Sequence, residues 1–336
     1  MQRTGLRTLA LDFPRIIGFG GVAGKKEGEG PLAKNFDRIY PDATLGQKSW
    51  EKAESALLRS ALSFALDRAQ VSPSQLDLLL GGDLLNQCIG SAFTARDYDV
   101  PYLGLYGACS TMAESLCLAS VLVEGGAAAK AGAMTSSHFC SSERQFRYPL
   151  EYGGQRTPTA QWTVTGAGAA VVAPTGGSIR VNHVTFGRII DKGVCDINNM
   201  GAAMAPAAAD TIKQFLEDTA TAPGDYDLIL TGDLGHVGSE LLIELLQRES
   251  TDLSAVHSDC GKLIFDREKQ DTHSGGSGCG CGASVLCSYI LPRIENGELR
   301  NVLFCATGAL MSTTSFQQGE SIPGIAHLIH LTNSPE

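Results

Sequence analysis

At 336 residues, 43% of them apolar and 18% charged, the chain can bury a large core, and its 39 glycines accompany no low-complexity tract, which excludes a disordered chain. A formal net charge of -10 with no dense run of Lys or Arg gives no electrostatic reason to bind nucleic acid or an anionic bilayer directly. No apolar stretch approaches the roughly 18 residues that a transmembrane helix needs, so a membrane role requires a protein partner.

The chain opens with MQRTGLRTLALDFPRIIGFG, whose short apolar run ends at Asp12 and makes a poor signal peptide. The ten cysteines therefore read as reduced thiols, and the close pair Cys279 and Cys281, spaced CxC, lacks the paired CxxC of a zinc site, so no metal or cofactor is expected. Hydrophobic periodicity predicts a strand at 15–20, a helix at 48–69, strands at 77–81 and 102–106, and a helix at 109–124. Strands follow at 128–134, 163–173 and 179–187, then a helix at 204–218 and a strand at 226–231. Helices at 237–248 and 280–290 and strands at 301–307 and 324–331 complete an α/β pattern of layered elements.

The chain repeats itself. DLLLGGDL at residues 77–84 and DLILTGDL at residues 227–234 agree at six of eight positions, 150 residues apart. Each follows an amphipathic helix and a proline-containing turn, SPSQ in one copy and APGDY in the other. A continuous apolar strand after a helix fits a parallel sheet buried on both faces, so the repeat predicts two similar βαβ-rich halves, residues 1–174 and 175–336. Ligands in such sheets lie beyond the carboxyl ends of the strands. That rule gathers the two GDL segments, the turn at Cys109 and the GALM turn after Cys305 around one candidate site.

Cys109 stands in LYGACSTMAESL, where a strand hands over to a helix. A helix N-terminus favours the thiolate, the nucleophilic form of cysteine. YGACSTMAESL, VTGAGAAVVA at 164–173 and FCATGALMS near the C-terminus resemble the thiolase superfamily, in particular its ketoacyl synthase III branch. Within it, GACSTMAESL, HFCSSERQFRYPLEYGGQRTPTAQWTVTGAGA and TGDLGHVGS resemble the stage V sporulation AD family of spore-forming bacteria. That resemblance covers the whole chain and implies a thiolase-like fold in an α-β-α-β-α layering. It also implies a soluble component of the SpoVA machinery that binds dipicolinic acid (pyridine-2,6-dicarboxylate) and moves it into the developing spore.

The condensing relatives pair their cysteine with a His after the second half's apolar strand and an Asn in a Gly/Ser-rich turn. Here the His position falls at or next to Gly232, and HSGGSGCGCG offers no asparagine, with His236 or His273 as substitutes only if a loop bends back. A non-enzymatic binder is therefore expected, with an acyltransferase or condensing enzyme using Cys109 as the alternative and a ligand-free assembly scaffold as a further one.

For ligand contacts the candidates are Cys109, Asp83, Asp233, His236 and Arg147. In the segment 136–162, Arg144, Arg147 and Arg156 alternate with Phe146, Tyr148, Tyr152 and Trp162. Guanidinium forks suit carboxylates and aromatic faces suit a flat ring, although a structured surface loop or subunit contact has the same composition. Asp83 and Asp233 repel a dianion unless a proton, water or calcium ion intervenes, and so are expected chiefly to order their loops. The resemblance further implies a homodimer, membrane-embedded SpoVA subunits as partners, and a peripheral place on the cytoplasmic face of the forespore or spore inner membrane.

Overall fold

The computed structural model describes residues 1–146 and 156–334. In the first half it places β1 (Arg15–Gly24), α1 (Trp50–Ala69), β2 (Leu78–Gly82), β3 (Tyr102–Gly104), α2 (Thr111–Glu124), β4 (Ala131–Ser137), α3 (Phe139–Phe146), β5 (Trp162–Thr163) and β6 (Gly166–Ala173). The second half holds β7 (Ile179–Thr185), α4 (Met200–Thr219), β8 (Leu228–Thr231), α5 (Gly235–Arg248), β9 (His257–Asp259), β10 (Gly276–Ser277), α6 (Cys279–Val285), β11 (Asn301–Ala309) and β12 (Gly324–Asn333).

The repeat seen in the sequence is a repeat of backbone. The long helices α1 and α4 lie 150 residues apart at both ends. Each starts at a side-chain cap, Ser49 accepting from the Lys52 amide and Asn199 from the Ala202 amide. Each stops at a left-handed residue, Gln70 at φ 54° and Ala220 at φ 52°. Short turns at Pro73–Gln75 and Pro223–Asp225 then deliver the chain into β2 and β8.

Sheet order confirms the match. In the first half it runs β1-β6-β4-β2-β3 and in the second β7-β12-β11-β8-β9, with the same sequence of antiparallel, antiparallel, parallel and parallel pairings. The halves join where Ile16 and Arg15 of β1 pair antiparallel with Ile179 and Arg180 of β7.

Helices fill the spaces between these sheets. α1 packs on β1, β6 and β4, while α4 packs on β12, β11 and α5. Between the halves, α2 touches β4 and β6 on one side and β11 and β12 on the other, and α6 shares this middle layer. The result is the expected α-β-α-β-α layering. Contact is close because small residues face each other: a Cβ on Gly20 of β1 would lie 2.5 Å from the Ala61 carbonyl of α1. Leu57, Leu58 and Leu62 of α1 are fully buried, each contributing about 1.5–3 kcal/mol over an exposed position.

Two predicted elements differ. The segment 136–162, read as a structured loop, contains helix α3, where Ser141 donates to the buried Glu54 carboxyl of α1 at 2.7 Å. The helix predicted at 280–290 changes to a π-turn over Leu286–Ile290.

Candidate functional site

Cys109 sits in a tight 3-10 turn, Ala108–Ser110, directly ahead of α2. Ala108 adopts φ +47°, a left-handed conformation that costs a non-glycine residue of order 1–3 kcal/mol and persists only where the surroundings enforce it. Thr111 Oγ1 and Cys279 Sγ both donate to the Ala108 carbonyl, at 2.7 and 3.0 Å, and Ser110 Oγ donates to the Gly107 carbonyl at 2.6 Å. From the other half β11 presses on the turn, where a Cβ on Gly308 would lie 2.3 Å from the Gly107 oxygen. These contacts fix Cys109 at the helix start, the residue as a whole partly accessible while its neighbours Ala108 and Ser110 are buried.

The thiol meets a carboxylate. Asp233, one residue past the glycine at which a histidine was sought, lies against Cys109. It accepts from the Gly278 amide at 2.8 Å, Ser277 Oγ at 3.2 Å and Thr307 Oγ1 at 2.9 Å. The Gly/Ser-rich turn searched for an asparagine thus supplies Ser277 and Gly278. Burial, then the Asp233 charge, pushes the Cys109 thiol well above its ordinary value. Each unit of that rise removes a further factor of about ten in thiolate, which opposes the effect of the helix start.

Asp259 secures the loop behind this pair. Its carboxylate accepts from Thr231 Oγ1 at 2.7 Å and from the Leu234 and Gly235 amides at 2.9 Å each, and burial raises it to about 7. The signal for it in the sequence is slight, a lone Asp at the end of a three-residue strand.

Above Cys109 opens a small cleft of about 70 Å³. Leu84, from the first GDL segment, and Ala309 and Met311, from the GALM turn, line it as the strand-end rule predicted. Met200 and Met204 of α4, Tyr106, and Phe146 of α3 complete an apolar wall. Polar groups on the lining are Ser142 and Glu143 of α3, Thr163 of β5 and Ser277 of β10, with Thr163 Oγ1 donating to Glu143 at 2.7 Å. Phe146 was among the aromatic residues noted in the sequence, whereas Met200 and Met204 of α4 escaped it, because methionines on an amphipathic helix look the same whether they face a core or a cleft.

The other expected contacts lie elsewhere. Asp83 is fully buried and accepts from the Leu85 and Ser91 amides at 2.9 and 2.7 Å and from Ser91 Oγ, so it shapes the loop that presents Leu84 without lining the cleft. His236 is also outside the lining. Gly235 at φ +65° starts α5 so that the His236 amide donates to the Ser274 carbonyl at 2.7 Å. His273 pairs with Asp271 at 2.9 Å, and none of the seven histidines is among the described lining residues. Arg144 pairs with Glu51, and Arg156 with Asp271 at 3.0 Å. Arg147, Tyr148 and Tyr152 lie outside the described residues.

Comparison with known proteins agrees with this architecture. The profile of the family described as stage V sporulation protein AD (SpoVAD) matches residues 5–332. The chain is 47% identical over 328 residues to the stage V sporulation protein AD of Bacillus subtilis (strain 168), covering 97% of each chain. Among solved structures it is similar to a cysteine-to-alanine variant of OleA from Xanthomonas campestris, with TM-score 0.64, 12% identity, and 96% and 98% of the two chains covered. It is likewise similar to 3-oxoacyl-[acyl-carrier-protein] synthase III from Aquifex aeolicus VF5, with TM-score 0.55, 15% identity, and 95% and 99% covered. The solved structures speak for a thiolase-like fold alone.

Proposed function

Because the chain belongs to the stage V sporulation protein AD family, we propose that it is a sporulation protein that binds pyridine-2,6-dicarboxylate in the Cys109 cleft without chemically changing it. The carrying observation is that the side chain against the thiol is a carboxylate, Asp233, with no imidazole among the described lining residues. Decarboxylative condensation needs donors for a developing enolate and a thiolate to hold the acyl group. A carboxylate on the cysteine opposes both. What is left is a small, partly open cleft of about 70 Å³, with apolar walls and a few hydroxyls.

The negative charge of the ligand has to be met. Arg147, next in the chain after α3, is the cation we assign to it, with calcium as a companion that would offset the Glu143 carboxylate. No helix among the described residues is long and apolar enough to cross a membrane, so work beside membrane-embedded SpoVA subunits at the forespore inner membrane would be peripheral. The outer strand β3 ends its sheet with Leu103 47% exposed and Tyr106 close by at 43%. A second copy added at that edge would give the homodimer.

Isothermal calorimetry with pyridine-2,6-dicarboxylate, with and without calcium, tests the binding. A saturable heat lost in Arg147→Ala supports it, and no heat at millimolar ligand under either condition overturns it.

One observation favours a second reading, acyl transfer: the enforced turn still presents a partly accessible cysteine at a helix start. Intact-mass spectrometry after incubation with acyl thioesters separates the two. An adduct lost in Cys109→Ser supports transfer, and its absence supports binding.

A further inference from the structure

Helix α3 and strand β5 each have two working faces. Ser142, Glu143, Phe146 and Thr163 line the Cys109 cleft, whereas Phe139, Cys140 and Trp162 line a separate, partly open cavity of about 400 Å³. Neighbouring residues of a strand point to opposite sides, which is why Trp162 and Thr163 serve different spaces. His138, Lys25, Lys26, Glu27 and Glu29 contribute to the second cavity.

Its charge is unbalanced. Lys26 Nζ lies 4.0 Å and the Arg156 guanidinium 4.8 Å from the centroid of the same Trp162 ring, which also stacks on Phe139 at 4.1 Å. Two cations on one indole repel each other. Arg156 is compensated by Asp271, at 3.0 Å to its carboxylate. Lys26 makes no salt bridge among the described residues, although its backbone is held by Gln270 Nε2 donating to its carbonyl at 2.6 Å. Burial and then Arg156 lower the Lys26 ammonium from its ordinary value, the direction expected of a cation lacking its counter-charge. The adjacent Glu27 offers little compensation, since it is buried, accepts from the Thr165 amide at 3.0 Å and is raised to about 7. Glu29 stands exposed on the rim.

We propose that this cavity is a second ligand site, taking a small planar monocarboxylate whose anionic group pairs with Lys26 while its flat body rests on the Phe139 and Trp162 stack. The half-buried Lys26 ammonium over an aromatic wall suits one carboxylate on a ring, with Lys25 exposed at the margin. Glu29 at the rim disfavours a more highly charged anion such as phosphate. The site is independent of whether the Cys109 cleft binds a dicarboxylate.

The chain has two tryptophans, so Trp50→Phe leaves Trp162 as the sole indole reporter. Titrating that variant with benzoate at constant ionic strength should give a saturable change in emission, weakened at least tenfold when Lys26→Gln is added. Calorimetry on the chain with both tryptophans, compared with Lys26→Gln alone, gives the same comparison should Trp50→Phe fold poorly. The proposal is overturned if benzoate produces no saturable signal, or if Lys26→Gln leaves the affinity unchanged, which would place benzoate in the Cys109 cleft. An equal response to inorganic phosphate would also overturn it, because the aromatic wall would then play no part.

Discussion

Asp83 and Asp233 occupy corresponding places in the two halves, each at the end of the strand that carries the repeated motif, and both are buried. Asp83 turns back on its own loop, taking the Leu85 and Ser91 amides. Asp233 reaches across, taking Gly278, Ser277 and Thr307 from other elements and touching Cys109 of the opposite half. The cysteines at the starts of the two middle helices, Cys109 just ahead of α2 and Cys279 opening α6, diverge in the same way. Cys109 is partly accessible at the cleft, whereas Cys279 is fully buried and donates to the Ala108 carbonyl. The lesson is that duplicated backbone supplies the frame, and the site arises where unlike copies meet.

The largest expected effect comes from cutting that meeting point. Asp233→Ala and Asp83→Ala should each destabilise the protein by about 2–4 kcal/mol, because each strands buried donors, and urea unfolding would measure it. They should part in a second assay: only Asp233→Ala removes the charge beside Cys109, so it alone should speed alkylation of Cys109 by iodoacetamide. Equal acceleration by Asp83→Ala would break the contrast between the two aspartates.

The halves also differ in their response to acid. His257, His327 and His330 are buried in the second half, burial holding them down to about 4, 4 and 3. An unfolded histidine takes a proton below about 6.5, so their contribution is complete above that value and is lost as pH falls toward 4. Each can cost up to about 1.4 kcal/mol per pH unit. Glu27 of the first half and Asp259 of the second run the other way and offset each other in the comparison. Both raised to about 7, they contribute below the ordinary carboxylate range and lose that contribution as pH rises through 7. Hydrogen exchange at pH 5 should therefore open β7, β11 and β12 before β1, β4 and β6. Uniform loss across both sheets would remove the distinction.

The smallest effect tests the cleft wall against its outer surface. Thr163→Val should cost about 1 kcal/mol by freeing the hydroxyl bond to Glu143. Arg144→Ala, which removes an exposed pair with Glu51, should stay within about 0.5 kcal/mol and leave dicarboxylate binding unchanged.

Much of the frame was legible in the sequence because it rests on local signals. The motif repeated 150 residues apart, the proline turns and the apolar strands all announce themselves within a few residues. The Cys109 turn was legible too, since a strand, Gly107 and an apolar helix follow in order. The pairing of Asp233 with Cys109 joins residues from different halves, and pattern alone supplied only the neighbourhood. His236, expected as a ligand contact, is committed to the first turn of α5 and away from the cleft lining by one left-handed glycine, Gly235. Helix α3 was missed because HFCSSER reads as polar loop until the buried Glu54 carboxylate is present to receive Ser136 and Ser141.

The join between β1 and β7 gives this asymmetry its meaning. In an assembly of two identical chains every substitution appears twice, so a change that suits one copy burdens the other. Covalent fusion removes that constraint. With the two halves in one chain, position 83 can drift toward architecture and position 233 toward chemistry, and a thiol in one copy can become a bolt for the other.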